Sequence, residues 1–227
     1  MLVEPEVDEA RQALDRAVAD AVRARLTAGP RAAPDADAIA LRQALTSLSP
    51  TEASAVRAVL GRIDAAHAAP LSVWGPASQV LASDRFGLSG SVASTPEAAL
   101  AAVRDGGRAL MDLSAASAWW GRLLAEPALR VVGALPDTGP GLPRALMVER
   151  RPPGPTGGDR TFWITDSGWS ATRIVETLGA AGLAASPLIV AGGLKLFLLA
   201  GYVQAEDGRF ASAPGALNGV IGAAPHF

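Results

Sequence analysis

Residues Val7 to Leu26, VDEARQALDRAVADAVRARL, carry the first clear period in the chain. Val7, Leu14, Val18, Ala21 and Val22 recur at three-, four- and seven-residue intervals, which places them on one face of an α-helix. That face runs on into Arg25. An apolar helix face that ends in arginine is either a stem covering the edge of a core or a cation set for an anion. The first alternative makes the helix structural, for instance with Arg25 paired to Asp20 or Asp37, and the second makes it part of a site.

Outward from this helix, Gly29, Pro30 and Pro34 break the period, and a short second helix is predicted from Asp37 to Leu48. Ser49-Pro50-Thr51-Glu52 supplies a capping residue, a proline at the first helical position and a glutamate three residues after the cap. A third helix therefore starts there, carrying Val56, Val59, Leu60 and Ile63 on one face and ending before Pro70. Three amphipathic helices cannot bury all their stripes on one another, so a homodimer through these helices is expected, with packing against the rest of the chain as the alternative.

From Pro70 the texture changes. Strands at Leu71–Trp74, Arg108–Leu113, Leu129–Leu135 and Pro143–Glu149 alternate with helices at Ala77–Ser83, Ser94–Asp105 and Ala116–Ala125, a spacing that predicts a small α/β layer with a mainly parallel sheet. Trp119 and Trp120, adjacent in an α-helix, would face different ways, one into the core and one to an interface or pocket. Arg150 to Gly158, RRPPGPTGG, has the composition of a linker. Beyond it, a strand at Arg160–Thr165, a helix at Ser170–Gly182, strands at Pro187–Ala191 and Leu194–Val203 joined through Gly192-Gly193, and a last strand at Gly219–Ala223 form a βαββ-type module. The predicted fold class is α+β and multidomain: a helical domain over 1–69, an α/β lobe over 70–153 and an α+β module over 154–227.

Composition removes several functions. A formal charge of −2, with arginines scattered among as many acids, argues against a nucleic-acid partner. No apolar run reaches the length of a membrane span, and MLVEPEVDE is acidic where a signal peptide is basic, so the cytoplasm is expected. The chain has no cysteine, and His67 and His226 lie far apart, so neither thiol chemistry nor a metal site is expected. Lys195 is the single lysine.

The order of parts resembles the bifunctional chorismate mutase/prephenate dehydratase proteins of phenylalanine biosynthesis. Leu14-Asp15 followed by Arg25 looks like the signature of the all-helical chorismate mutases, in which that arginine binds a substrate carboxylate. Pro70-Leu71-Ser72-Val73 resembles the junction in such fusions, and Trp74-Gly75-Pro76-Ala77-Ser78 the first strand and glycine turn of a prephenate dehydratase. Asp166-Ser167-Gly168-Trp169 stands where the ligand loop of an ACT domain joins strand to helix, and Val220 to Pro225 is similar to that domain's closing strand.

The resemblance implies a cofactor-free isomerase turning chorismate into prephenate. Asp8 stands where the first-helix arginine belongs and no lysine precedes Lys195, so the implied mutase site is impaired or rearranged, with Arg25, Arg11 and Arg42 as cations and Asp37 as the acid. The family's Thr-Arg-Phe motif is absent, and dehydratase activity is not expected. Ser167, Gly168 and Trp169 would hold an aromatic amino acid or small carboxylate; a plain turn is the alternative for Gly168. The alternative function is a non-catalytic regulatory or ligand-binding protein that senses an aromatic acid or a partner enzyme.

Overall fold

A computed structural model of the chain describes residues 8–28, 34–46, 48–87, 90–139 and 141–227. Val7, the first residue of the opening face, lies outside them. Helices α1 (Glu9–Ala28), α2 (Pro34–Leu45) and α3 (Pro50–His67) come first. The cap of α3 is complete: Glu52 N donates to Ser49 Oγ at 3.4 Å, and Ser49 N donates to Glu52 Oε2 at 2.7 Å. Those bonds satisfy backbone donors that a helix start otherwise leaves open, and they hold the Glu52 carboxyl below its ordinary pKa.

The remaining elements are β1 (Leu71–Trp74), α4 (Pro76–Phe86), β2 (Gly90–Val92), α5 (Pro96–Arg104), β3 (Arg108–Asp112), a 3-10 helix (Trp119–Leu124), β4 (Arg130–Leu135), β5 (Ala145–Glu149), β6 (Asp159–Thr165), α6 (Ala171–Ala180), β7 (Ala185–Ala191), β8 (Leu194–Ala200), a second 3-10 helix (Gly208–Ser212) and β9 (Asn218–Pro225). The nine strands among the described residues lie in one sheet, in the order β2-β1-β3-β5-β4-β9-β6-β8-β7.

That sheet corrects the predicted fold class. The expected α/β lobe and βαββ module are not separate layers beside a three-helix domain, because β4 pairs with β9 at Val131 and Gly222 and the ladder runs on into β6. The join is possible because residue 222 is glycine. A Cβ there would overlap Val131 O and lie 2.5 Å from Val131 N, and its φ of 143° belongs to the region that favours glycine. Arg150–Gly158 likewise has a linker's composition but a packed structure: Thr156 is buried, and its N–H and hydroxyl both donate to the Asp159 carboxylate.

The sheet is mixed rather than mainly parallel. β1 is parallel to β2 and β3, but β5 is antiparallel to both β3 and β4 and separates them. Period-two burial gives the sheet two apolar faces. One face is a single core from α5 (Leu100, Val103) through Met111, Val131, Leu146 and Val148 to Phe162, Ile164, Leu196 and Ile221. The other face has two patches, one under α4 around Val73, Leu110 and Met147, and one under α6 around Trp163, Ile174, Leu178 and Phe197.

Trp119 and Trp120 are both buried in the first core, against expectation. Adjacent side chains of this 3-10 helix still diverge, by about 120°, so both rings are buried because the core encloses 119–124 on more than one side, with Leu194 against Gly121 and Gly219 of β9 against Leu124. Trp119 Nε1 donates to Asp112 O at 2.7 Å, which fixes its ring at the end of β3.

The N-terminal helices reach the sheet through α3 and α4. Gly61 of α3 sits against the backbone of Arg85, where any Cβ would collide with the carbonyl. Val56 and Leu60 are buried beside it, whereas none of the described side chains of α1 is fully buried. No helix among the described residues is long and apolar enough to cross a membrane.

Candidate functional site

A groove of about 460 Å³ opens at the end of the sheet where β6 begins, β8 ends and α6 lies across β7. Val175 and Gly179 come from α6, Leu183 to Ser186 from the turn into β7, Leu198, Ala200 and Gly201 from β8, and Asp159, Arg160 and His226 from the ends of β6 and β9. Local chemistry explains its shape. Gly182, at φ 79°, ends α6 in the left-handed conformation, and Leu183 N donates back to Leu178 O at 2.8 Å, which turns the buried Leu183 under the helix. Gly201, also left-handed, ends β8 and donates its N–H to Asp159 O at 2.9 Å.

Arg160 is the cation of this groove. Its Nη1 donates to Gly141 O at 3.2 Å, and its Nη2 lies 3.4 Å from Gly139 O and 2.6 Å from His226 Nε2. Burial pushes its pKa down. No carboxylate pairs with it among the described residues, in contrast to Arg25, Arg57, Arg104, Arg122 and Arg209, each of which meets one. Its contact with His226 is also internally opposed. Nε2 lies 2.8 Å from Gly139 O as well, and one ring nitrogen cannot both donate to that carbonyl and accept from the guanidinium.

The residues singled out from the sequence are spread over the molecule. Arg25 Nε donates to Asp64 Oδ1 on α3 at 2.6 Å, joining α1 to α3. Arg11 is exposed, and it lies fourteen residues before Arg25, about 21 Å along one helix. Arg42 reaches away from both, to the carbonyl oxygens of Thr156, Gly158 and His226, with its guanidinium 5.4 Å from the Phe227 ring centroid. Asp37 is in α2, and its side chain lies outside those described. Within one chain, then, Arg11, Arg25 and Arg42 do not converge.

The loop Ser167-Gly168-Trp169 closes on itself. Ser167 N donates to Thr165 Oγ1 at 3.0 Å, Trp169 N donates to Ser167 Oγ at 3.2 Å, and Lys195 Nζ donates to Ser167 O. The Trp169 ring stacks under Arg173 at 3.9 Å, and none of the three residues lines the groove.

Two buried polar clusters went unmarked in the sequence. Asp112, at the end of β3, accepts from Ala77 N at 3.1 Å and Ser78 N at 2.5 Å, so a carboxylate of the chain itself occupies the N-terminus of α4. Asp137 meets both Arg57 and Arg85, which also lie against each other, and burial with that like charge lowers Arg85 to about 10. Strand-end charges of this kind have no local sequence signal, since their partners lie far along the chain.

No family model matches this chain, and no curated protein does. A solved structure described as "GqqA- a novel type of quorum quenching acylases" is similar over 69% of this chain and 95% of that one, at 19% identity and a TM-score of 0.44. The assignment to the chorismate mutase/prephenate dehydratase family is therefore corrected, and with it the ACT-like domain, the implied isomerase and the place in aromatic amino-acid biosynthesis. A likeness of that strength carries neither the acylase fold nor its activity over to this chain.

Proposed function

We propose that the protein is a non-catalytic ligand-binding protein that takes up a small carboxylic acid with an apolar, aromatic body in the groove at the start of β6. The observation that carries this reading is Arg160, a partly buried guanidinium with backbone carbonyls and one opposed histidine contact for partners and, among the described residues, no carboxylate. Val175, Leu183 and Leu198 offer the apolar wall. A carboxylate that took Nη2 would form a charge-assisted pair and leave His226 Nε2 free to donate to Gly139 O. Arg25 and Arg42 are engaged in structural bonds, which leaves them out of a shared anion clamp and supports binding in the groove instead. A cytoplasmic homodimer is part of this reading; the dimer is supported by Leu14, Val18 and Val22 of α1, which are only half-buried within the chain.

Thermal unfolding with benzoate and phenylacetate tests it. A ligand of the folded state at a hundred times its Kd adds about 2.7 kcal/mol, a rise of about 5–11 °C in Tm for a chain of this size. The shift is expected in the wild type and lost in Arg160→Ala. No shift with either acid, or an equal shift in the variant, refutes the reading.

A further inference from the structure

We infer that the groove selects acids that lack an α-ammonium group, preferring a plain aryl-alkyl carboxylate to the amino acid of the same skeleton. This rests on the groove being the ligand site. An amino acid held by its carboxylate on Arg160 would carry its ammonium on the carbon next to that carboxylate, at the same end of the groove as the guanidinium, where like charges repel. The ammonium would then need a carboxylate or a set of open carbonyl oxygens. The wall's one carboxylate, Asp159, is 8% exposed and already engaged: Oδ2 accepts from Thr156 N at 2.7 Å and Gly157 N at 3.2 Å, and Oδ1 accepts from Thr156 Oγ1 at 2.6 Å. Withdrawing it would open the turn that leads into β6.

The nearby carbonyls are engaged in the same way. Gly158 O accepts from Arg42 Nη2 at 3.1 Å and from His226 N at 2.8 Å, while Gly201 O accepts from Thr161 Oγ1 at 2.8 Å. Behind Gly158, Arg42 adds a second guanidinium to the same end of the groove. Two cations and one fully engaged carboxylate make this end favourable to an anion and unfavourable to a zwitterion.

The test is calorimetric titration of the full chain with 3-phenylpropionate and with L-phenylalanine, which differ by the amine alone. Phenylpropionate should bind, with phenylalanine weaker by about five- to 150-fold, the equivalent of leaving one polar group unpaired on burial. Arg160→Lys, which keeps the charge, should keep that order, and Arg160→Ala should lose both ligands while its circular dichroism stays that of the wild type. Phenylalanine binding as tightly as phenylpropionate, with both lost in Arg160→Ala, overturns the selectivity and leaves the groove as the site. Binding of neither acid, or binding that survives Arg160→Ala, overturns the site and the selectivity together.

Discussion

Gly222→Ala is the sharpest test of the nine-stranded sheet. The new Cβ would overlap Val131 O and lie 2.5 Å from Val131 N and 2.9 Å from its carbonyl carbon, all backbone atoms that cannot swing aside. Two costs add. Holding a non-glycine residue at φ 143° costs about 1–3 kcal/mol. Relieving the overlap moves β9 off β4 and loses about two ladder bonds at roughly 1 kcal/mol each. The sum, about 3–5 kcal/mol, is a large share of the 5–15 kcal/mol that hold a typical domain. Gly106→Ala is the control, because Gly106 has φ 92° with no atom within 4 Å of its ideal Cβ and so should show the backbone cost alone. Urea unfolding followed by tryptophan fluorescence reads both. If Gly222→Ala falls within about 1 kcal/mol of Gly106→Ala, the β4–β9 contact does not hold the sheet together as described.

Three further outcomes follow from buried or paired charges. Asp112→Ala removes the acceptor for Ala77 N and Ser78 N and leaves two donors at the start of α4 open, which should cost about 2–3 kcal/mol in the same unfolding assay. Asp137→Asn leaves Arg57 and Arg85, whose side chains are each 12% exposed, without the carboxylate they share, and should cost about 3–5 kcal/mol, with part of the loss restored by Arg85→Met in the same chain. Hydrogen bonds from Arg209 hold the Asp207 carboxyl at about 2 in the folded protein, below its unfolded value. The stability that Asp207 contributes is therefore complete above the ordinary carboxylate range and lost as pH falls towards 2, so Asp207→Asn should lose less stability than the wild type between pH 5 and pH 2; equal acid sensitivity in the two would contradict the pairing.

Much of the local structure was legible because its causes are local. Ser49 and Glu52 carry a reciprocal cap within four residues, and Gly192-Gly193 supplies the two left-handed positions that the β7–β8 hairpin needs. What joins those pieces is not written locally. Gly222 sits in the apolar run Val220–Ala223 and reads as one more strand residue, yet its missing Cβ is what lets β9 meet β4. The prolines and glycines of 150–158 report backbone preference, whereas the packing of that segment comes from Arg42, more than a hundred residues earlier, and from Asp159. The candidate groove was hidden for a related reason: the partners of Arg160, namely Gly141, Gly139 and His226, lie 19, 21 and 66 residues away, so nothing beside Arg160 marks it off from the chain's other arginines.

The helix with which the chain opens shows how one residue's meaning depends on that distant context. Its period left Arg25 as either a structural cation or an anion contact, and the bond to Asp64 Oδ1 ties it into α1–α3 packing. Arg42, assigned beside it to the same site, instead braces Thr156, Gly158 and His226. Those residues form the back of the groove whose cation is Arg160. The helical layer thus reaches the groove through Arg42, which holds the carbonyls of Gly158 and His226 at its wall. On the proposed reading Arg42 of α2 and Arg160 of β6 belong to one arrangement, in which the former occupies backbone acceptors and the latter is left with a charge to share, while Arg25 stays with Asp64.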